Sequence, residues 1–363
     1  MLGGEGLRRY FIAFTTPAEA RGIGGFMGTW AELTIDGGRI EMTRYGRSED
    51  VNGEDGQYPN RRVTGLDDLL SRWGRFGLNN GPDGTARGRV WSNISMAPDF
   101  PSVAGAIAQL YPQSGGSRLD GVFLLDTQAI AALMQFTGPI QVEGIEQPLT
   151  AENANDFLLR GQYQFADDLD FRKDLLQTIA RTTVDRLLSS TLPPPADLAA
   201  VFAPLAADRR LMAWSADADE QQLLTDVRMD GSFVLEGGGD GIAVTVDNAI
   251  GNKIDAYLTT SVDYTVVSDG PAGRTAEVTV TLTNNAPSEG LPAYVIGNAF
   301  SDGMDIPLGT NRTWVSVYTA IPMIAATLDG EQVGMQTSAV FGWRASSRFI
   351  DIGPGETRTI KLQ

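Results

Sequence analysis

Hydrophobic periodicity changes character near Gly231, and that change limits the folds open to this chain more than any other feature. Before it, short apolar runs alternate with stretches at helical spacing. Arg8–Thr15 and Phe26–Asp36 read as strands, and Gly37–Gly38 turns the second into Arg39–Gly46. Leu119–Asp126 is a continuous apolar run, as expected of a strand buried on both faces. Helices are predicted over Leu66–Trp73, from Pro101 to Tyr111, and from Thr127 as cap to Gly138 as stop. A further one follows Thr150 as cap, and a long one carries Leu175, Leu176, Ile179, Val184, Leu187 and Leu188 near a 3.6 period. "RLMAWS" and "DADEQQLLTDV" add a short strand and a helix. Such alternation implies an α/β layer structure with a mixed sheet.

Beyond Gly231 the pattern is period 2. "GIAVTVDN", "AYLTTSVDYTVVS", "RTAEVTVTLTNNAP", "NRTWVSVYTA", "IAATLDG" and "ETRTIKLQ" are separated by turn residues. About 100 residues of this kind predict an immunoglobulin-like β-sandwich. The expected division is an α/β domain over 1–252 and a sandwich over 253–363.

The chain contains neither cysteine nor histidine. Disulfides, thiol nucleophiles, thiolate metal sites and a Ser-His-Asp triad are therefore excluded. Chemistry here rests on carboxylates, Arg, Lys, Tyr, Ser or Thr, or a hard cation held by oxygen. The net charge of −17 disfavours nucleic acid as a partner, because phosphate neutralisation dominates such binding. Lys173, Lys253 and Lys361 are the only lysines, so the other 25 of the 28 basic residues are Arg, the side chain suited to bidentate phosphate or carboxylate binding. No run of about 20 apolar residues exists to span a membrane, and no signal peptide is visible. The abrupt start on a core strand suggests a chain cut from a longer protein, with membrane contact only through an upstream anchor.

Three segments carry candidate chemistry. "PAEARGIGGFMG" (Pro17–Gly28) sets Glu19 and Arg21 beside Gly22, Gly24 and Gly25; such a loop wraps an anion or sugar, or is simply a glycine-rich connection. Arg47–Arg62 is a polar loop, either a surface excursion or a flap. Asp167, Asp168, Asp170 and Asp174 surround a helix start, where acids complement the helix dipole. Arg172 is a cation in that same turn, which suggests a carboxylate or phosphate partner from elsewhere.

"PAEARGIGGFMG", "NISMAPDFPS", "LDGVFLLDTQAIAALMQFTGPI", "DDLDFRKDLLQTIA", "WSADADEQQLL", "DNAIGNKIDAYL" and "GTNRTWVSVY" together resemble domain-of-unknown-function family 4012, found in bacterial, notably actinobacterial, envelope proteins. "LDGVFLLDTQAIAALMQFTGPIQV" is also similar, more faintly, to the LytR-CpsA-Psr phosphotransferases. That second resemblance implies a LytR-CpsA-Psr-like α/β core. Asp170, Arg172 and Gln177 fall at its pyrophosphate-binding helix start, Arg21 at its strand-loop Arg, and Arg47 with Asp50 at its third-strand Arg. It also implies Mg²⁺, for which Asp50 is the candidate ligand. Where those proteins carry Arg-Ser-Asp, this chain has "GGFMG".

Three functions follow as expectations. In the first, Arg21, Arg47 and Arg172 bind the phosphate of a polyprenyl-linked or cell-wall glycan outside the cytoplasm, with glycopolymer phosphotransfer as the implied activity. Asn93, Lys253 and Arg312 are further substrate contacts in that reading. In the second, Glu19 pairs with Asp50 or Asp170 as the two carboxylates of a glycan hydrolase. In the third, the chain is a non-catalytic envelope glycan-binding or structural module.

Overall fold

β1 (Arg8–Thr16) is apolar on both faces because strands flank it on both sides and layers cover it above and below. The computed structural model describes residues 6–54, 56–165, 169–189, 194–233, 241–270, 273–297 and 303–363. The chain divides into two compact units, Met1–Pro17 with Gly22–Phe233, and Ala18–Arg21 with Val234–Gln363.

In the first unit, β1 pairs antiparallel with β2 (Phe26–Asp36), which pairs antiparallel with β3 (Arg39–Arg47). A short helix, α1 (Ser48–Asn52), then α2 (Asp67–Trp73) and α3 (Phe100–Gln113) lead to β4 (Gly121–Asp126). β4 lies parallel to β1 on its other side. Next come α4 (Thr127–Thr137), α5 (Ala154–Leu159), α6 (Leu169–Ser189) and α7 (Pro195–Ala207). β5 (Leu211–Ser215) closes the sheet antiparallel to β4, before α8 (Ala218–Asp226). The order β3-β2-β1-β4-β5 makes the mixed sheet that the alternating pattern predicts. One face packs Ile12, Leu33, Leu125, Leu133, Ile179 and Val184 into a single apolar core. On the other face Phe11 stacks with Trp30 and Trp91 at 5.6 and 5.8 Å and meets Tyr111 edge-on at 5.1 Å.

Local chemistry differs from expectation at three points. Asp126, not Thr127, caps α4: its Oδ1 accepts from the N–H groups of Gln128 and Ala129 at 2.9 Å. Gly138 ends that helix as expected, at φ 73°. α5 begins four residues after the hydroxyl turn at Thr150, which accepts from the Glu152 N–H at 3.3 Å. The loop after Arg47 is pinned at its far end by buried Arg61, which donates to the carbonyls of Val51 and Asn52 at 3.0 and 3.2 Å.

The second unit is an antiparallel β-sandwich. β6 (Ile242–Asn248), β7 (Leu258–Gly270) and β8 (Gly273–Asn284) precede a single-turn helix, α9 (Ala293–Ile296). β9 (Asn311–Thr319), β10 (Ala326–Leu328), β11 (Glu331–Gln332), β12 (Gln336–Val340), β13 (Trp343–Ile352) and β14 (Thr357–Leu362) follow. Sheets of order β11-β10-β14-β8-β7 and β12-β13-β9-β6 enclose Val278, Val280, Val315, Val317, Ile350 and Ile360. The units part at 233/234 rather than 252/253, because β6 pairs with β9 from Ile242 to Asn248. No helix among the described residues is long and apolar enough to cross a membrane.

Candidate functional site

α6 lies against the first unit's sheet because Leu175, Ile179, Ala180 and Val184 recur on one face and are buried. Where it passes β1–β3 the packing leaves a shallow surface cleft of about 10 Å³. Phe14, Thr29, Trp30, Ala31, Met42 and Ala180 line it, with Tyr45 and Arg181. These last two carry the exposed side chains, 42% for Tyr45 and 51% for that of Arg181. Arg181 Nη1 donates to the Tyr45 hydroxyl at 2.9 Å, and its guanidinium lies 4.7 Å from the Tyr45 ring centroid. Asp185 Oδ2 is 3.4 Å from Arg181 Nε, an exposed pair that contributes little to stability. The cleft is thus apolar inside, with a cation and a phenol at its rim.

The carboxyl ends of parallel strands are where open α/β sheets hold ligands. β1, β3 and β4 share that direction, so Arg47 and Asp126 come to the same edge, with Arg210 just before β5. Asp126 Oδ2 accepts from Arg210 Nη1 at 2.9 Å. Burial pushes the Asp126 carboxyl up, against the backbone donors of α4 and the Arg210 charge. Asp126→Ala removes the helix cap and the charged hydrogen bond together, and is expected to cost roughly 2 kcal/mol. Urea unfolding measures this, and Asp126→Asn, which keeps the cap oxygen, should lose less.

The expected site residues separate into distinct surroundings. Arg47 ends β3, its N–H donating to Asp50 Oδ2 at 2.7 Å. Asp50, the candidate Mg²⁺ ligand, is exposed and holds that turn. Among the described residues no group of three acidic or other metal-ligating side chains is gathered there or elsewhere. Asn93 Nδ2 donates to the Phe76 carbonyl at 2.8 Å and ties two loops. Arg312 binds both oxygens of Asp351 at 2.8 and 2.7 Å across the β9–β13 pair and lies 5.2 Å from the Phe349 ring. Asp170, Arg172 and Gln177 belong to the first turns of α6, and their side chains lie outside the described residues, as do Asp167 and Asp168.

Glu19, Arg21 and Lys253 do come together, but upon one another within the second unit. All three are buried. Glu19 Oε1 accepts from Arg21 Nη2 at 2.6 Å, and Glu19 Oε2 accepts from Lys253 Nζ. Arg21 Nη1 donates to the carbonyls of Ala20 and Asn248 at 3.0 and 2.9 Å. Beside them Asp255 accepts from the Ala20 N–H, Asn248 Nδ2 and Asn311 Nδ2 at 2.9, 2.7 and 2.8 Å. Burial raises Glu19's affinity for its proton, but Lys253 and Arg21 outweigh it and hold the carboxyl below its ordinary range. A carboxylate held ionised by two buried cations has no proton to give as a general acid, and its oxygens are engaged by Arg21 and Lys253. Arg21 likewise turns its guanidinium to Glu19 and backbone rather than to a ligand.

The glycines of that loop have packing reasons of their own. A side chain at Gly22 would strike the Met96 carbonyl, one at Gly25 the Thr16 carbonyl, and Gly24 sits at φ 121°. Sequence reading missed Asp255, Asn248 and Asn252 because Asn and Asp after a strand ordinarily mean a turn. Asn248 does serve that role too, its Oδ1 accepting from Ile250 and Gly251.

Comparison with known proteins gives one family. A family model described as "Protein of unknown function (DUF4012)" matches residues 5–163. The match covers less than half of the chain, so what it gives is a likeness to that family over these residues. The DUF4012 match therefore takes in β1–β4, the strand loop with Glu19 and Arg21, and the β3 end with Arg47 and Asp50. Among solved structures, a transcriptional regulator, yvhJ, from Bacillus subtilis is similar at 11% identity and a TM-score of 0.27, covering 65% of this chain and 85% of that one. The Lin1025 protein from Listeria innocua is similar at 12% identity and a TM-score of 0.27, covering 62% of this chain and 80% of that one. No curated protein matches the sequence.

Proposed function

We propose that the first unit binds the phosphorylated, lipid-linked precursor of a cell-envelope glycan, with the apolar chain in the cleft beneath α6 and the phosphate at its rim. The observation that carries this reading is the lining of the cleft, which a bound chain would have to widen. Phe14, Ala31, Met42 and Ala180 offer an apolar floor, and Arg181 with Tyr45 offers a cation and a hydrogen-bond donor at the opening. An amphiphile with an anionic head needs both in that order. Arg is the side chain suited to the head because its fork matches phosphate oxygens. Arg172 stands on the same helix and Arg47 at the end of the neighbouring strand, so both are further candidates for the pyrophosphate. Arg21 is not, given its buried pairing with Glu19. The proposed setting is extracytoplasmic, as the envelope resemblance implies. The reading is one of binding; phosphotransfer would require an acceptor hydroxyl and Mg²⁺ at the same place, and no such step is derived.

Calorimetric titration with farnesyl pyrophosphate tests it. Wild type is expected to bind this ligand more tightly than inorganic pyrophosphate. Arg181→Ala is expected to weaken binding about tenfold, or about 1.4 kcal/mol, in line with one charge-assisted hydrogen bond. Met42→Trp should block the apolar chain while leaving weak pyrophosphate binding in place. An Arg172→Ala titration asks the same of the helix start. Absence of binding by wild type removes the proposal, and equal affinity in Arg181→Ala removes the cleft from it.

A further inference from the structure

Among the described strands β7 forms one edge of its sheet, bonded to β8, and every residue from Thr259 to Ser268 is exposed. Register shows what kind of exposure this is. Val262, Tyr264 and Val266 stand opposite Val280, Val278 and Ala276 of β8, so they share the face that β8 turns to the core. The β8 partners are 0, 4 and 8% exposed, whereas Val262, Tyr264 and Val266 are 42, 37 and 45% exposed. The sheet that holds β7 has five strands and the other four. β6, the edge of the narrower sheet, keeps Ile242, Val244 and Val246 half-buried along the same seam. At one end the seam opens into a small cleft of about 50 Å³ lined by Tyr264, Ala276, Val278, Ile321, Met323 and Ile324, among others. Ile324 is 75% exposed there.

An apolar stripe on every second residue, next to an open backbone edge, is what an added strand covers. The bulge between Val266 and Ser268 ends the regular edge, leaving Leu258–Val266, which spans roughly 30 Å at about 3.3 Å per residue. We infer that the β7 edge is a docking site for an extended peptide segment that alternates apolar side chains with basic ones. Apolar positions would lie over Val262, Tyr264 and Val266 and complete the wider sheet's core face. Basic positions follow from charge. "LTTSVDYTVVSDG" holds Asp263 on the outward face and no Lys or Arg, in a chain of net charge −17. A second copy would bring the same acidic strand and the same net charge, which repel. A basic partner strand is drawn in instead.

Fluorescence anisotropy on the full chain tests this with a labelled nine-residue peptide alternating valine with lysine or threonine. Saturable binding is expected. Methylation of the peptide's alternate backbone nitrogens should weaken it at least about tenfold, since strand pairing supplies the affinity. Val262→Asp with Val266→Asp should do the same, with unchanged circular dichroism confirming the fold. Three results overturn the inference: no binding of the peptide, equal binding of the methylated peptide, or a wild-type dimer that the two Asp substitutions dissolve. The methylated peptide acts on wild-type protein, so that arm stands even where the variant fails to fold.

Discussion

Glu19→Gln is expected to destabilise the β-sandwich unit by about 3–5 kcal/mol at neutral pH, the usual result of breaking a buried ion pair from one side. Glu19 is the carboxylate shared by Arg21 and Lys253, and all three are buried. The substitution keeps shape and removes charge, leaving two desolvated cations beside Asp255. Asp255 is already engaged, its carboxylate accepting from Ala20, Asn248 and Asn311. Chemical unfolding of wild type and variant measures the difference. Adding Lys253→Met to Glu19→Gln should recover part of the loss, since a neutral, packed replacement avoids the unpaired charge. The pH dependence has a definite sign. A carboxyl held below its unfolded value gives stability that is present above about pH 4.3 and lost as pH falls through the folded value. The gap between wild type and Glu19→Gln should therefore narrow on acidification. Asp255 works the other way: burial raises its carboxyl, so the stability its charge costs shrinks as pH falls.

Trp91→Ala should cost the first unit a comparable amount, about 3–5 kcal/mol, as expected for deletion of a large buried aromatic. Trp91 is 0% exposed, stacks on Phe11 at 5.8 Å and meets Tyr111 edge-on at 6.5 Å. Its Nε1 donates to Ser114 Oγ at 3.1 Å, the same oxygen that accepts from Arg61 Nη1 at 3.3 Å. The deletion therefore opens a cavity and loosens the buried Arg61 anchor of the loop after β3. Near-UV circular dichroism during urea unfolding reports on this cluster. Trp91→Phe, which keeps the ring contacts and loses the hydrogen bond, should cost distinctly less.

Strong local patterns carried the fold well. β1 and β4 are apolar runs buried on both faces, and the Gly37–Gly38 turn joins β2 to β3 as its residues demand. The β12–β13 hairpin was not legible. Its turn is Phe341–Gly342, with φ of 51° and 78°, rather than the Asn-Gly pair that advertises such a bend. β13 also buries Ser346 and Ser347, which erase the apolar alternation along its length. Ser347 Oγ settles its polarity by donating to Ser316 Oγ of β9 at 2.8 Å. The site was legible in parts. Glu19, Arg21 and Lys253 do stand together, yet single residues cannot reveal that their charges cancel in a buried triad. Tyr45 and Arg181 escaped notice because they are 136 positions apart, and each reads as an ordinary surface residue of a strand or helix. Only the placement of α6 across β3 makes a cleft of them.

The most direct measurement of the central claim is a crystal of the protein with a brominated short-chain prenyl pyrophosphate, located by the anomalous signal of bromine. That signal is expected among Phe14, Ala31, Met42 and Ala180 beneath α6, with phosphate density at Arg181. Bromine found elsewhere on the molecule, or pyrophosphate bound with the cleft beneath α6 left empty, would contradict it.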